Sequence, residues 1–318
     1  MPVVEIENLT KDFSIGFWKK RPVRALDSLC LEVRQGEIFG FLGPNGAGKS
    51  TTIKLLMHLL HPTSGSARIL GKPVDHVGMH RSIGYLPENP YFYDYLTPRE
   101  LLAYVGRLFG LRQPELSKKV NALIEDVGLG HSADLQLRKF SKGMVQRIGI
   151  AQALINDPEI VFLDEPMSGL DPLGRMDVRR IITSLKTRGV TVFFSSHILP
   201  DVEAICDRVA ILNRGRLQEQ GALEEILKVR IEGHEVILSG WAGEHLGSMG
   251  KFADEVRPMG DRLHLRVSDG KKLEGLLAFV FSNKLDLISL NPIRPSLEEH
   301  FQSLVAGRRP AAGVPEGA

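Results

Sequence analysis

Cysteine, an excess of one charge and long apolar runs are all scarce in this sequence of 318 residues. The two cysteines, Cys30 and Cys206, have neither metal-ligand spacing nor the number that a disulfide framework needs. Both lie in apolar stretches, which predicts small core residues in a reducing compartment. A formal net charge of +2 creates no bulk field demanding nucleic acid or an anionic surface. No apolar run approaches the ~20 residues of a membrane-spanning helix, and Leu276 to Phe281 is typical of what there is. The opening MPVVEIENLT has no basic or apolar region of a signal peptide. The expectation is a cytosolic chain that reaches a membrane only through a partner. Internal repeats and coiled-coil heptads are absent too.

What is there is an α/β pattern. From Val3 to about residue 230, apolar β-rich runs alternate with amphipathic helical stretches around a largely parallel sheet. The clearest strands are Glu37 to Leu42, Ile160 to Asp164, Val190 to Ser196 and Arg208 to Leu212, all continuous apolar runs suited to burial on both faces. Between Thr97 and Leu137 no strand is legible. TPRE offers a capping Thr97, Pro98 at the first helical position and Glu100 to close a capping box, so a helical subdomain is expected there. From residue 231 to 307 the alternation in HEVILSG and RLHLRVSD, with a helical run at Lys271 to Ser282, predicts a small α+β domain. Residues 308–318, rich in Pro, Gly and Ala, read as a disordered tail.

The strongest motif is Gly43-Pro44-Asn45-Gly46-Ala47-Gly48-Lys49-Ser50, between a strand and a helix expected at Thr51 to Leu60. Its glycines let successive N–H groups turn toward a phosphate chain, and the helix N-terminus adds partial positive charge. Lys49 can reach β- and γ-phosphates, and Ser50 can offer a hydroxyl to Mg²⁺. The ligand expected is a nucleoside triphosphate with Mg²⁺. Asp164 and Glu165 close the strand IVFLD, where side-chain alternation aims neighbouring carboxylates in different directions. One can then serve the metal while the other faces an attacking water. His197 ends a further apolar strand in FFSSHIL, where it is either a capping residue or a γ-phosphate sensor.

Phe140-Ser141-Lys142-Gly143-Met144 precedes the helical run VQRIGIAQALI and resembles the signature motif of ABC ATPases, with Ser141 and Gly143 matching. Phosphate loop, signature, Asp-Glu strand, SGLDP (Ser168 to Pro172) and SSH (Ser195 to His197) stand in that family's order over about three-quarters of the chain. The resemblance implies a P-loop ABC ATPase domain and ATP hydrolysis. It further implies two subunits meeting head to tail, ATP lying between the phosphate loop of one and the signature of the other. Ser141 and Gly143 then face the γ-phosphate in trans, Asp171 joins the two sites, His197 contacts the γ-phosphate and Glu165 is the catalytic carboxylate. Glu88 in IGYLPENP stands where most members have a glutamine that reaches metal and water; otherwise it is a solvated loop residue. The adenine partner implied is Phe13, with Val23 beyond it, or else Phe17 or Trp18 in the longer basic loop between them.

IGYLPEN, FSKGM, the extra C-terminal domain and the segment RPSLEEHF (Arg294 to Phe301) resemble the subgroup paired with ABC-2-type permeases. That resemblance implies export through a separate integral membrane permease, a peripheral place on the cytoplasmic face, and no nucleic-acid partner. The alternative, a soluble ABC ATPase acting on ribosomes or nucleic acid, wants a second nucleotide domain, coiled coils or zinc motifs, which this sequence lacks. The C-terminal domain is expected to stabilise or regulate the dimer, since His234, His245, His264 and His300 are scattered without metal spacing.

Overall fold

The computed structural model describes residues 2–16, 21–228, 233–293 and 297–305. The chain divides into two compact units, Met1–Leu223 and Glu224–Ala318. The boundary expected at residue 230, the tail at 308–318, Phe17, Trp18 and the start of RPSLEEHF at Arg294 all lie outside the described residues.

In the first unit, β1 (Pro2–Ile15), β2 (Arg21–Arg34), β4 (Ser64–Ile69) and β5 (Lys72–Pro73) form an antiparallel sheet in the order β2-β1-β4-β5. This sheet was not expected as a separate layer. β2 alternates Leu29, Leu31 and Val33 inward with Cys30 and Glu32 outward. Cys30 is therefore exposed and not a core residue, because the period-two pleat overrides the apolar look of its neighbourhood. Its thiol donates to the side-chain oxygen of Asn8 at 3.3 Å.

The second sheet has the order β10-β9-β3-β8-β7-β6, with β3 (Ile38–Leu42), β6 (Ile83–Leu86), β7 (Ile160–Leu163), β8 (Thr191–Ser196), β9 (Arg208–Asn213) and β10 (Arg216–Ala222). All pairings are parallel except β9 with β10. The four long apolar runs fall on β3, β7, β8 and β9, each fully buried along its centre. Around Phe193 the rings of Phe39, Phe41 and Phe162 close at 5.6, 5.4 and 5.4 Å between centroids. Register pairs Leu42 with Ser196, Leu86 with Leu163 and Leu163 with Phe194. The chain segments that begin at residues 43, 87, 164 and 197 thus leave the sheet along one edge, the carboxyl ends where α/β sheets place ligands.

Helices α1 (Lys49–Leu56), α4 (Lys142–Ala153), α5 (Pro172–Thr187) and α6 (Leu199–Ile205) accompany this sheet. Residues 97–137 hold α2 (Pro98–Leu108), α3 (Glu115–Asp126) and short 3₁₀ turns, without a strand. The Thr97 hydroxyl accepts from the Glu100 N–H at 3.3 Å while Glu100 accepts from the Thr97 N–H at 2.8 Å, a complete capping box. α7 (Leu223–Lys228) follows β10.

The second unit is an antiparallel sheet in the order β12-β13-β11-β14, from β11 (Gly233–Ser239), β12 (Glu255–Met259), β13 (Arg262–Val267) and β14 (Asp286–Ile293). Leu263, Leu265 and Val267 pack with Leu276 and Val280 of α9 (Gly270–Ser282) and with Met249 of α8 (Gly243–Met249). α10 (Leu297–Val305) ends the described chain.

Phe193 joins three aromatic neighbours at the centre of the parallel sheet and is fully buried. Phe193→Ala is expected to cost about 3–5 kcal/mol, read by chemical denaturation of the full chain; a loss below about 1 kcal/mol would show that the sheet is not organised around this ring.

Candidate active site

The phosphate loop leaves β3 at Gly43 and enters α1 at Lys49. Gly48 has φ +110°, and a Cβ there would stand 2.6 Å from the Ala25 carbonyl oxygen. At Gly43 a Cβ would lie 2.5 Å from the carbonyl of Leu212 in β9. The tight approach of loop to neighbouring strands is thus what requires glycine. α1 starts two residues before the expected Thr51 and stops at Leu56, short of Leu60, where His58 turns left-handed at φ +53°. Ser50 and Thr51 consequently sit in its first turn, beside the positive end of the helix.

Two carboxylates meet this loop. Asp164 follows the last residue of β7, and its N–H donates to the Leu86 carbonyl of β6 at 2.8 Å. Its Oδ1 accepts from Ser50 Oγ at 3.0 Å and from Ser195 Oγ at 2.7 Å. Glu165 stands outside the strand with φ +50°. Strand alternation is therefore not what separates the two carboxylates; a left-handed residue, uncommon outside glycine, turns Glu165 away. The Ser195 hydroxyl also accepts the Glu165 N–H at 2.9 Å, holding that turn. Burial, with Asp164 beside it, pushes the Tyr85 phenol up to about 12.

Glu165 is gripped on both oxygens. Lys49 Nζ lies 3.1 Å from Oε1, and His197 Nδ1 is 2.8 Å from Oε2. Lys49 and Glu165 are each about 5% exposed, whereas the His197 side chain is 40% exposed. Lys49 also donates to the carbonyls of Gly43 at 2.8 Å and Pro44 at 3.4 Å. These groups border a cavity of about 410 Å³, lined among others by Ala25, Asn45, Gly46, Ser168 and Glu88. Glu88 itself is exposed on the loop after β6.

Other expected site residues stand elsewhere. Phe13 and Val23 are paired across β1 and β2, and neither lines the cavity; Ala25, unremarked in the sequence, does. Ser141 caps α4, accepting from the Met144 N–H at 3.3 Å, and Asp171 caps α5, accepting from the Gly174 N–H at 3.0 Å. Ser141, Gly143 and Asp171 do not line the cavity either. Ser195 was missed as a site residue. Its signal was the pair of buried hydroxyls, Ser195 and Ser196, that closes the apolar run Val192 to Phe194.

A buried lysine in a glycine loop, a helix N-terminus and a hydroxyl–carboxylate pair define a P-loop nucleoside triphosphatase. Among the described residues no three acidic, histidine or cysteine side chains form a metal cluster. Ser50 and Asp164 instead supply two converging oxygens, a donor set suited to Mg²⁺, which keeps waters and phosphate oxygens as its other ligands. The family described as ABC transporter matches residues 26–168. The chain is 48% identical over 301 residues to an uncharacterized ABC transporter ATP-binding protein of Synechocystis sp., covering 94% of this chain and 83% of that one. It is 37% identical over 292 residues to the bacitracin transport ATP-binding protein BcrA of Bacillus licheniformis, covering 89% and 93%. With the Nod factor export ATP-binding protein I of Burkholderia lata it shares 34% over 282 residues, covering 87% and 90%. A solved ATP-binding subunit of an ABC transporter superposes with a TM-score of 0.61 at 31% identity, over 70% of this chain and 91% of that one. This chain belongs to the ABC transporter ATP-binding proteins, cassettes that hydrolyse ATP to power transport. Among the described residues no helix is long and apolar enough to cross a membrane.

Ser195→Ala removes the group shared by Asp164 and the Glu165 N–H. It is expected to lower stability by about 1–3 kcal/mol and to reduce ATP turnover more than ATP affinity, measured by denaturation, steady-state hydrolysis and nucleotide titration. Unchanged turnover would show that the hydroxyl serves packing alone.

Proposed function

We propose that this chain is the ATP-hydrolysing subunit of an exporter whose pore is a separate ABC-2-type permease, and that it works as a dimer with two shared ATP sites. The observation that carries the dimer is the division of the expected site. Lys49, Ser50, Glu165 and His197 line one cavity with Asp164 beside them, while Ser141, Gly143 and Asp171 stand at the starts of other helices and do not line it. A second subunit placed head to tail supplies Ser141 and the α4 N-terminus to the γ-phosphate, charge that one subunit alone lacks.

On this reading the triphosphate displaces Glu165 as the counter-charge of Lys49. Glu165 then accepts a proton from the attacking water as the new oxygen–phosphorus bond forms and the bond to ADP breaks. Ser50 and Asp164 would hold Mg²⁺, which would supply neutralising charge at the phosphates. His197 would move from Glu165 to the γ-phosphate, and Glu88, which lines the same cavity, would contact the metal and the water. The adenine lies beyond Ala25, on Phe13 and Val23.

Export is supported by the functions of two relatives, bacitracin transport and Nod factor export. A partner on the helical segment is supported by a groove of about 620 Å³ lined by Tyr93, Tyr95, Tyr104 and Arg107. Tyr93, Tyr95 and Tyr104 are exposed there, with Tyr91 nearby in the sequence, and aromatic patches of this kind mark docking surfaces. The loop from Glu88 runs straight into these tyrosines, so a change at the phosphates reaches the surface where a permease would sit. The protein then lies on the cytoplasmic face, and the second unit holds the subunits together without taking part in chemistry.

Two measurements test this reading. Mixing Lys49→Ala and Ser141→Arg protomers, each inactive alone, is expected to restore part of the ATPase activity through one intact shared site; full activity in either variant alone would refute the shared site. Affinity purification from detergent-solubilised membranes is expected to recover an integral membrane protein, with Tyr93→Asp weakening its recovery. Ribosomes or DNA in its place would overturn the transport assignment.

A further inference from the structure

Asp201 is a charged residue that the catalytic cluster does not use. It lies in the first turn of α6, four residues after His197, and its side chain is 5% exposed. Its Oδ1 is 3.5 Å from Nη1 of Arg179, but Oδ2 is buried without a hydrogen bond among the described residues. The nearest cation to Oδ2 is Nη1 of Arg175 at 4.0 Å. A buried carboxylate oxygen left in that condition costs about 1–3 kcal/mol. Burial pushes the Asp201 carboxyl up from its ordinary value, against the pull of Arg175 and Arg179.

Arg175, the cation facing Oδ2, is bonded to the SGLDP segment. Its Nε donates to the Leu170 carbonyl at 3.2 Å, and its backbone N–H donates to the Asp171 carbonyl at 3.0 Å. Arg175 and Arg179 are one helical turn apart on α5, so both approach α6 from the same side. The Arg175 guanidinium therefore stands between the SGLDP segment and α6, and α6 begins two residues after His197. The Ile198 N–H, bonded to Ser196 Oγ at 2.9 Å, keeps that link short.

We propose that Arg175 and Asp201 form a latch, half made in the single subunit, which closes when a partner engages the SGLDP segment and which thereby positions His197 for hydrolysis. Closure needs only about 1 Å of movement to bring Nη1 from its present separation to a charge-assisted hydrogen bond. Both residues are positioning residues, acting through Leu170 at one end and α6 at the other. The latch rests on the shared-site reading above and extends it: contact between subunits would set the geometry of His197 as well as complete the ATP site.

The test uses the full chain. Asp201→Asn keeps the shape and removes the charge; Arg175→Gln, at a side chain 36% exposed, is the variant that leaves the core filled. Each is expected to lower kcat about tenfold per folded molecule while KM for ATP changes less than about twofold. The double variant should be no worse than the poorer single one, as members of one device are not additive, and Asp201→Glu should recover part of kcat. A pair with only a structural role would lower melting temperature and leave the kcat of the folded fraction unchanged, and that result overturns the latch. Sedimentation of Glu165→Gln with ATP separates the two readings. No ATP-driven dimer would overturn the shared site and the latch together, whereas a dimer beside unchanged kcat in both single variants would overturn the latch alone.

Discussion

Everything at the nucleotide edge depends on one buried ion pair, Lys49 with Glu165. Taking both charges out of water costs several kcal/mol per ion, and their attraction repays this only when the remaining hydrogen-bonding capacity is met. Here the carbonyls of Gly43 and Pro44 serve Lys49, and His197 serves the other oxygen of Glu165. The cluster is consistent as it stands, yet it holds the lysine and the carboxylate where a triphosphate and a water would otherwise be. On the proposed function, exchange of one anion for another on Lys49 would make nucleotide binding and the release of Glu165 a single event.

The parallel sheet makes that pairing possible. In-phase register among β3, β7 and β8 brings residues 43, 164 and 197 to one edge, although more than a hundred residues separate the first from the second. The aromatic cluster around Phe193 fixes the spacing between these strands, and Ser195, on the same strand, fixes Asp164 and the Glu165 turn. Packing and polar geometry are thus set by alternate positions of one strand. A segment placed less firmly could not hold a hydroxyl within hydrogen-bond reach of two groups at once.

The phosphate loop, the buried strands and the capped helix at Thr97 were legible in the sequence because each depends on local chemistry: glycines, continuous apolar runs, a capping box. Cys30 was misread because an apolar neighbourhood says less than the side of the pleat on which a residue falls. The left-handed turn at Glu165 was invisible, since nothing in Asp-Glu-Pro announces a positive φ on a glutamate; Ser195, thirty residues away, stabilises it. Asp201 and Arg175 were invisible for a similar reason, being joined only once α5 and α6 pack. The antiparallel layer of β1, β2, β4 and β5 was missed because the pairing that unites it, β1 with β4, is long-range and has no local signal.

In the proposed mechanism Glu165, released from Lys49 by the triphosphate, activates the water. Single-turnover ATP hydrolysis by Glu165→Gln measures this directly, at saturating ATP and Mg²⁺ against the unaltered protein. The expected rate is at least about a hundredfold lower with ATP affinity retained, a loss within the range of general-base contributions. Hydrolysis within a fewfold of the unaltered rate would contradict it and place the base elsewhere.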